Sequence, residues 1–303
     1  MDLNWLQATV IGVLQGVTEL FPVSSLGHAV LVPAWLGGSW KALATDETGN
    51  GTPYLAFIVA LHVATALALL TFYWRTWVRV IGAFFSSIRT RSITTPTQRL
   101  AWLIVIATIP AGILGLALEH KLRSLFAKPE AAAIFLVINA AILFAGERLR
   151  RRVPEPTVSY ASRAEEEEAI VTTRVSLRDA GVIGAAQSLA LLAGISRSGV
   201  TMVASLLRGL DHEAAVNFSF LLATPVIFAA GVYKVPELFK HNPATGQMMI
   251  HGIVGPVILG CVVAFVVALA SIKFLTKYFE NRSLYPFAIY CLVAGVASVV
   301  RFA

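Results

Sequence analysis

The composition of this 303-residue chain is that of a membrane protein. Hydrophobic residues make up 57% and charged residues only 14%, whereas soluble domains carry about 25% charged residues. This composition excludes a water-soluble globular protein. The net charge of +7 does not indicate a nucleic-acid partner, because most basic residues fall in loops between apolar segments. Cys261 and Cys291 lie in apolar runs and are interpreted as small core residues.

Apolar regions follow one another along the whole chain. Six of them approach the length of about 20 residues that a membrane-spanning helix requires, and these cover residues 54–73, 100–118, 131–147, 214–233, 253–272 and 284–301. Two more, about residues 3–38 and 179–210, are interrupted by polar and helix-breaking residues, and we interpret them as re-entrant hairpins. The predicted fold class is therefore an all-α polytopic membrane protein with six spans and two re-entrant helical hairpins.

The distribution of arginines predicts the orientation. Arginines are concentrated in the loops 74–99 and 148–178, which the positive-inside rule places in the cytoplasm. The loops that are then external lie near residues 39–53, 119–130 and 234–250. The acidic run at residues 165–168 is interpreted as part of a solvated linker rather than as a metal site.

The two interrupted regions resemble each other. In the first, Gln15 precedes Ser24 by nine residues. In the second, Gln187 precedes Ser196 by the same nine residues, and a glycine follows each serine three residues later. One hairpin and three spans per half would invert the second half relative to the first, an arrangement that places a binding site at the repeat interface. The predicted domains are a first repeat at 1–147, a charged cytoplasmic linker at 148–178 and a second repeat at 179–303.

Arg197 is the residue that points most directly to a function. It lies in an apolar region without a neighbouring acid in sequence, and a charge at membrane depth costs at least about 2.5 kcal/mol. A guanidinium, hydroxyl groups and free helix N–H groups all suit phosphate oxygens. The predicted phosphate-binding residues are Ser24, Ser196, Arg197, Ser198, Gly199 and Thr201. A structural ion pair between Arg197 and Glu19 is the alternative, and the two roles are compatible.

The first break contains the candidates for reactive chemistry. Glu19, Ser25 and His28 offer a carboxylate, a hydroxyl and an imidazole within a short stretch, which are the parts needed for a nucleophile and for proton transfer. Together with Arg197 they form the predicted catalytic set. Glu19 and Gln15 are also candidate oxygen ligands for a divalent cation. The residues leave open whether Glu19 acts as base, acid or metal ligand, and whether Ser25 attacks phosphorus or positions a water.

Two functions fit these observations. One is a phosphatase that acts on a lipid diphosphate, and the other is a secondary transporter or flippase for an anionic lipid or solute, since broken helices are typical of transporters. A transporter needs Arg197 but has no need of Ser25, so Ser25 separates the two functions. His62 and Asn217, each inside an apolar span, are interpreted as helix-packing residues.

The motifs at the two breaks resemble those of the bacitracin-resistance family of undecaprenyl-diphosphatases. Residues 15–19 (QGVTE) and 22–28 (PVSSLGH) are similar to the family patterns (E/Q)xxxE and PVSSxGH, and residues 193–201 (AGISRSGVT) to PGxSRSGxT. Weaker similarity covers residues 107–111, 218–225 and 286–290. Three positions depart from the patterns: Gln15 replaces an acid, Leu26 a threonine or serine, and Ala193 a proline.

The resemblance implies a fold of six spanning and four re-entrant helices. It implies hydrolysis of undecaprenyl diphosphate to undecaprenyl phosphate and inorganic phosphate at the external face of the bacterial inner membrane. That reaction recycles the lipid carrier of cell-wall synthesis and confers bacitracin resistance. The resemblance also assigns the acid, serine and histidine of the first motif to Glu19, Ser25 and His28. It further implies a polyprenyl diphosphate substrate and a divalent cation, Mg²⁺ or Ca²⁺. A homodimer is a further expectation.

Overall fold

A computed structural model describes residues 3–45, 53–126, 128–150, 163–234 and 252–302, together with positions 236, 239 and 250. Within these residues every regular element is a helix and no strand is present. The helices are α1 (Trp5–Thr18), α2 (Ser25–Leu36), α3 (Gly38–Thr45), α4 (Pro53–Phe72), α5 (Trp74–Thr90), α6 (Pro96–Phe126), α7 (Pro129–Leu149), α8 (Arg163–Arg174), α9 (Leu177–Gln187), the short 3₁₀ helix η1 (Ser188–Leu191), α10 (Arg197–Leu206), α11 (His212–Lys234), α12 (Val254–Tyr278) and α13 (Tyr285–Phe302).

Several of these helices are long and apolar enough to cross a membrane. Among the described residues five helices qualify alone, namely α6, α7, α11, α12 and α13. Helices α4 and α5 qualify only as a pair, which is bent by 83°, so the number of spans is five, or six if the bent pair counts as one. The prediction of an all-helical, polytopic membrane protein is confirmed at this level.

Residues 74–90 form a helix where the sequence analysis predicts part of a loop. One face of α5 packs against the protein: Val80 and Ser87 are buried, and Trp77 and Phe84 contact the core. The Nε1 of Trp102 on α6 donates to Ser87 Oγ at 3.0 Å. Three of the arginines on which the predicted orientation depends, Arg75, Arg79 and Arg89, therefore lie on this helix.

The end of the predicted linker is packed rather than solvated. Helix α8 carries the acidic run, and Glu168 is only 6% exposed. Its Oε2 accepts from Thr97 Oγ1 at 2.8 Å, and its Oε1 lies 2.8 Å from Nη2 of Arg79. Ile170 and Val175 join the main core. Residues 151–162 of the predicted linker lie outside the described residues.

Two breaks interrupt the polar hairpin regions, at residues 19–24 between α1 and α2 and at 192–196 between η1 and α10. Each new helix is capped by a serine. Ser24 Oγ accepts from the N–H of Gly27 at 3.2 Å, and Ser196 Oγ accepts from the N–H of Gly199 at 3.1 Å. A serine oxygen that satisfies a first-turn N–H stabilises a helix start by about 1 kcal/mol. The two breaks thus use the same capping device at corresponding positions.

Candidate active site

The two breaks touch each other directly. Ser24 Oγ accepts from the backbone N–H of Gly194 at 3.1 Å as well as from Gly27. A Cβ added at Gly27 would lie 2.9 Å from Cα of Gly194, so only glycine fits at this contact. Gly194 also has a φ of 112°, a conformation that side-chain-bearing residues rarely adopt. The contact joins elements that are 170 residues apart in sequence.

Asn139 of α7 ties the breaks together from the side and is fully buried. Its Nδ2 donates to the carbonyl of Pro22 at 3.0 Å, and its Oδ1 accepts from the N–H of Ser196 at 2.9 Å. One amide side chain therefore satisfies a backbone group of each break, as buried irregular backbone requires. Ser198 Oγ adds a bond to the carbonyl of Phe21 at 3.2 Å.

Glu19, the last residue before the first break, is the centre of the site. Its Oε2 accepts from Ser25 Oγ at 2.5 Å and from Gln15 Nε2 at 3.1 Å. Its Oε1 lies 2.5 Å from Nη2 of Arg197. The carboxylate is 7% exposed. The predicted residues Gln15, Glu19, Ser25 and Arg197 are thus brought together, and the alternative ion pair between Glu19 and Arg197 is present.

Arg197 reaches Glu19 from the first turn of α10, with a side chain that is 14% exposed. Only its Nη2 contacts the carboxylate, and its Nη1 is buried without a hydrogen-bond partner among the described residues. A buried guanidinium nitrogen without an acceptor is costly. The arrangement therefore retains a strong donor group with capacity for one more anionic oxygen.

The other predicted phosphate ligands already have partners within the protein. Ser24 and Ser196 cap helices, and the Gly199 N–H is bound by Ser196 Oγ. The hydroxyl of Thr201 donates to the carbonyl of Arg197 at 2.8 Å. In this arrangement these residues shape the contact between the breaks, and Arg197 is the predicted phosphate ligand whose side chain is directed at Glu19.

His28 is placed differently from the rest of the predicted catalytic set. Its Nδ1 lies 2.7 Å from the carbonyl of Ser24, and its Nε2 lies 2.7 Å from the hydroxyl of Tyr290 on α13. Ser24 has a φ of 72°, which is strained for a residue with a side chain. Within the described residues no contact joins His28 to Glu19, so His28 supports the strained turn.

Comparison with known proteins identifies the family of this chain. The family model described as "Bacitracin resistance protein BacA" matches residues 8–297. The chain belongs to the BacA family. It is 56% identical to the undecaprenyl-diphosphatase of Mycobacterium avium, with 100% of this chain and 98% of the relative covered. It is 53% identical to undecaprenyl-diphosphatase 2 of Frankia alni (100% and 99% covered) and 45% identical to the undecaprenyl-diphosphatase of Acidiphilium cryptum (97% and 96% covered).

Helix α4 adds His62 to this site, a residue that the sequence analysis interprets as a helix-packing residue. His62 Nε2 lies 3.1 Å from Oε2 of Glu19, and its Nδ1 lies 2.7 Å from the carbonyl of Ile58. A carbonyl can only accept, so Nδ1 carries a proton. Nε2 faces a carboxylate oxygen, so a second proton lies between the imidazole and Glu19. The sequence signal for this role was a histidine inside an apolar span, but helix packing decides which group that histidine contacts. Asn217, the other such residue, accepts from the Tyr73 hydroxyl at 2.5 Å.

The residues present do not fit a divalent cation held by Glu19 and Gln15. Glu19 is contacted by four donor groups, from Gln15, Ser25, His62 and Arg197. Gln15 turns its NH₂ group, rather than its oxygen, to the carboxylate. Hard cations require several free oxygen ligands. Among the described residues no group of three His, Cys, Asp or Glu side chains is placed to hold a metal.

Proposed function

We propose that the chain hydrolyses undecaprenyl diphosphate to undecaprenyl phosphate and inorganic phosphate, and thereby recycles the lipid carrier and confers bacitracin resistance. The observation that carries the proposal is the contact of 2.5 Å between Ser25 Oγ and Glu19 Oε2, with Arg197 on the other carboxylate oxygen. A hydroxyl bonded to a carboxylate, beside a guanidinium, forms a nucleophile, a base and an anion ligand in one site. The relatives named undecaprenyl-diphosphatase support the choice of substrate.

In the first step Ser25 Oγ attacks the terminal phosphorus. A bond forms between Oγ and phosphorus, the bond from phosphorus to the bridging oxygen breaks, and undecaprenyl phosphate leaves. The Ser25 proton passes to Oε2 of Glu19, and Glu19 gives it to the bridging oxygen of the departing undecaprenyl phosphate, so the carboxylate is free again before the second step. In the second step water attacks the phosphoserine, gives one proton to Glu19 and releases inorganic phosphate, while the returning proton restores the serine hydroxyl.

Arg197 connects substrate binding to the strength of the base. Without substrate its guanidinium is paired with Glu19, which favours the charged, weakly basic carboxylate. A diphosphate carries more charge than a carboxylate and competes for the same guanidinium. When Arg197 turns to the phosphate, Glu19 loses one of its two cationic partners, keeps the contact with His62 and becomes the better base. Binding of the substrate thus activates the group that removes the proton from Ser25.

The experiment compares two serines of the same break. Phosphate release from undecaprenyl or farnesyl diphosphate is measured with purified protein carrying Ser25→Ala or Ser24→Ala. We expect Ser25→Ala to abolish turnover while substrate binding and thermal stability are retained. Ser24→Ala should instead lower thermal stability, because it removes the contact to Gly194. Normal turnover in Ser25→Ala would refute the serine mechanism, and binding without any turnover in the wild type would favour the transporter.

In this proposal the cation expected from the family resemblance, Mg²⁺ or Ca²⁺, binds phosphate oxygens of the substrate rather than Glu19 and Gln15. Divalent cations commonly bind phosphate oxygens and keep several waters, and Glu19 is already occupied by donors. If so, Gln15→Leu should leave the cation concentration for half-maximal activity unchanged. A large increase in that concentration would show that Gln15 is a ligand.

We further propose the finer architecture: six spans, two re-entrant hairpins whose tips meet inside the membrane, and an inverted repeat of residues 1–147 and 179–303. The matching breaks and serine caps support it. The site would open to the external side of the bacterial inner membrane, with α5 on the cytoplasmic side of that membrane. Labelling of a cysteine at Ser86 only from the external side would refute this orientation. A homodimer stays a prediction that light scattering of the purified protein tests.

A further inference from the structure

Helix α5 presents an apolar stripe that no part of the described protein covers. Its members are separated by four, three, four and three residues and therefore lie on one side of the helix. They are Trp74, Val78, Ile81, Phe85 and Ile88, each between 49% and 64% exposed. The opposite part of the helix is fixed to the core through Val80 and Ser87, so the stripe cannot turn inward.

A row of arginines follows one edge of this stripe. Arg75, Arg79 and Arg89 each come directly after a stripe residue and thus lie about 100° around the helix from it. Arg79 is paired with Glu168, whereas Arg75 and Arg89 form no salt bridge within the described part of the chain. The Arg75 guanidinium lies 5.3 Å from the centre of the Trp74 ring. Residues 74–91 contain no acid.

The direction of α5 identifies what covers the stripe. Helix α4 supplies the apolar part of a span, and α5 leaves it at 83°. A helix nearly perpendicular to a span runs along the membrane surface. Trp74, at the junction, is of the type enriched at the membrane–water interface. A helix with one apolar side and a basic edge lies in the headgroup region and is attracted by anionic lipids.

We propose that α5 is an interfacial helix that binds anionic phospholipid headgroups of the leaflet in which α4 ends. The stripe enters the acyl boundary, and Arg75 and Arg89 contact the headgroup phosphates. This inference does not depend on the proposed hydrolysis. Each arginine near an anionic surface contributes about fivefold to lipid affinity. Contacts of α5 with α6 and α8 through Ser87 and Arg79 keep the stripe directed away from the rest of the protein.

The test uses a matched pair of positions on α5. A spin label is attached at Val78→Cys, on the stripe, or at Ser86→Cys, which is exposed and lies on the arginine side. Cys261 is replaced by alanine, and Cys291 is fully buried and is retained. The protein is placed in nanodiscs of phosphatidylcholine alone or with phosphatidylglycerol, and collisions of the label with oxygen and with a water-soluble nickel complex are measured.

We expect the label at 78 to be accessible to oxygen and protected from nickel, and the label at 86 to show the reverse. Phosphatidylglycerol should move the label at 78 deeper into the bilayer, which raises its collisions with oxygen and lowers those with nickel. The Arg75→Gln/Arg89→Gln variant should lose this response, whereas Arg301→Gln on α13 should keep it. High nickel accessibility at both positions would show that α5 lies in water and would overturn the proposal. If the label at 78 is equally buried with and without phosphatidylglycerol, the claim that α5 binds anionic headgroups is refuted. If the label is protected from both probes, a protein partner covers the stripe and the lipid proposal is refuted.

Discussion

Asn139→Leu is the substitution that tests most directly how the site is assembled. Leucine has the same branching as asparagine, with two methyl groups in place of the amide oxygen and nitrogen, so it occupies the space and removes both hydrogen bonds to the breaks. The carbonyl of Pro22 and the N–H of Ser196 then lose the partners that they have at 3.0 and 2.9 Å. Both groups belong to irregular backbone in a buried region, where water does not replace the lost bonds.

The structure gives the size of the expected effect. A buried polar group without its partner costs about 1–3 kcal/mol, so two such groups lower the free energy of unfolding by roughly 2–6 kcal/mol. The same change frees the second break to shift relative to the first. A displacement of about 1 Å at a reacting centre costs on the order of 100-fold in rate, and we expect a loss of that order in kcat/KM.

The assay combines denaturant unfolding in detergent with phosphate release from farnesyl diphosphate. Thr172→Val is the matched control, because its buried hydroxyl only donates to carbonyls of its own helix, and its loss should change stability by less than about 1 kcal/mol. If Asn139→Leu is as stable and as active as the control, the two breaks are not held together by Asn139 and this account of the site is refuted.

Three further substitutions test single contacts. His62→Leu removes a donor to Glu19 and should lower kcat/KM by about 10- to 100-fold, given about 1.5–3 kcal/mol for a bond to a charged group, whereas His62→Gln keeps an N–H donor and should retain most activity. Equal loss in both would show that the imidazole proton itself is required. Arg197→Ala should reduce phosphate release by about 10²–10³-fold and weaken substrate binding, and normal hydrolysis would refute the anion site. Gly194→Ala places a Cβ 2.4 Å from the carbonyl oxygen of Ala132 and should prevent folding, as followed by yield and thermal stability. Gly252→Ala is the control, because Gly252 also has a positive φ but has open space around it. Similar effects of the two substitutions would mean that the positive φ alone, and not the clash with Ala132, causes the loss of stability.

The residues at the centre of the site could be predicted from the sequence because they lie in short motifs with their breaking residues. Gln15, Glu19 and Ser25 occupy neighbouring turns of one broken helix, so their proximity follows from local spacing. Arg197 could be paired with Glu19 because two charges in apolar surroundings must compensate each other. The hydropathy of the spans predicted the helical class for the same reason: it depends on local composition alone.

The residues that were not predicted depend on helix packing. His62 and Asn139 are single polar residues inside apolar spans, and the rotation of α4 and α7 decides which groups they meet. His28 was grouped with Glu19 by its position in the motif, but it contacts Tyr290, 262 residues later. The stripe of α5 was present in the sequence as a helical periodicity, although the arginines favoured a loop.

The contact between the breaks has a consequence for the way in which this protein handles a lipid. Gly194 to Ser24, Ser196 to Asn139, Asn139 to Pro22 and Ser198 to Phe21 are bonds that hold the two breaks against each other. A rocking cycle that opens this junction to alternate sides would have to break these bonds on every passage and reform them afterwards, at about 1 kcal/mol each. These bonds favour a junction that stays closed, and we expect the lipid headgroup to reach the site by moving within the plane of the bilayer.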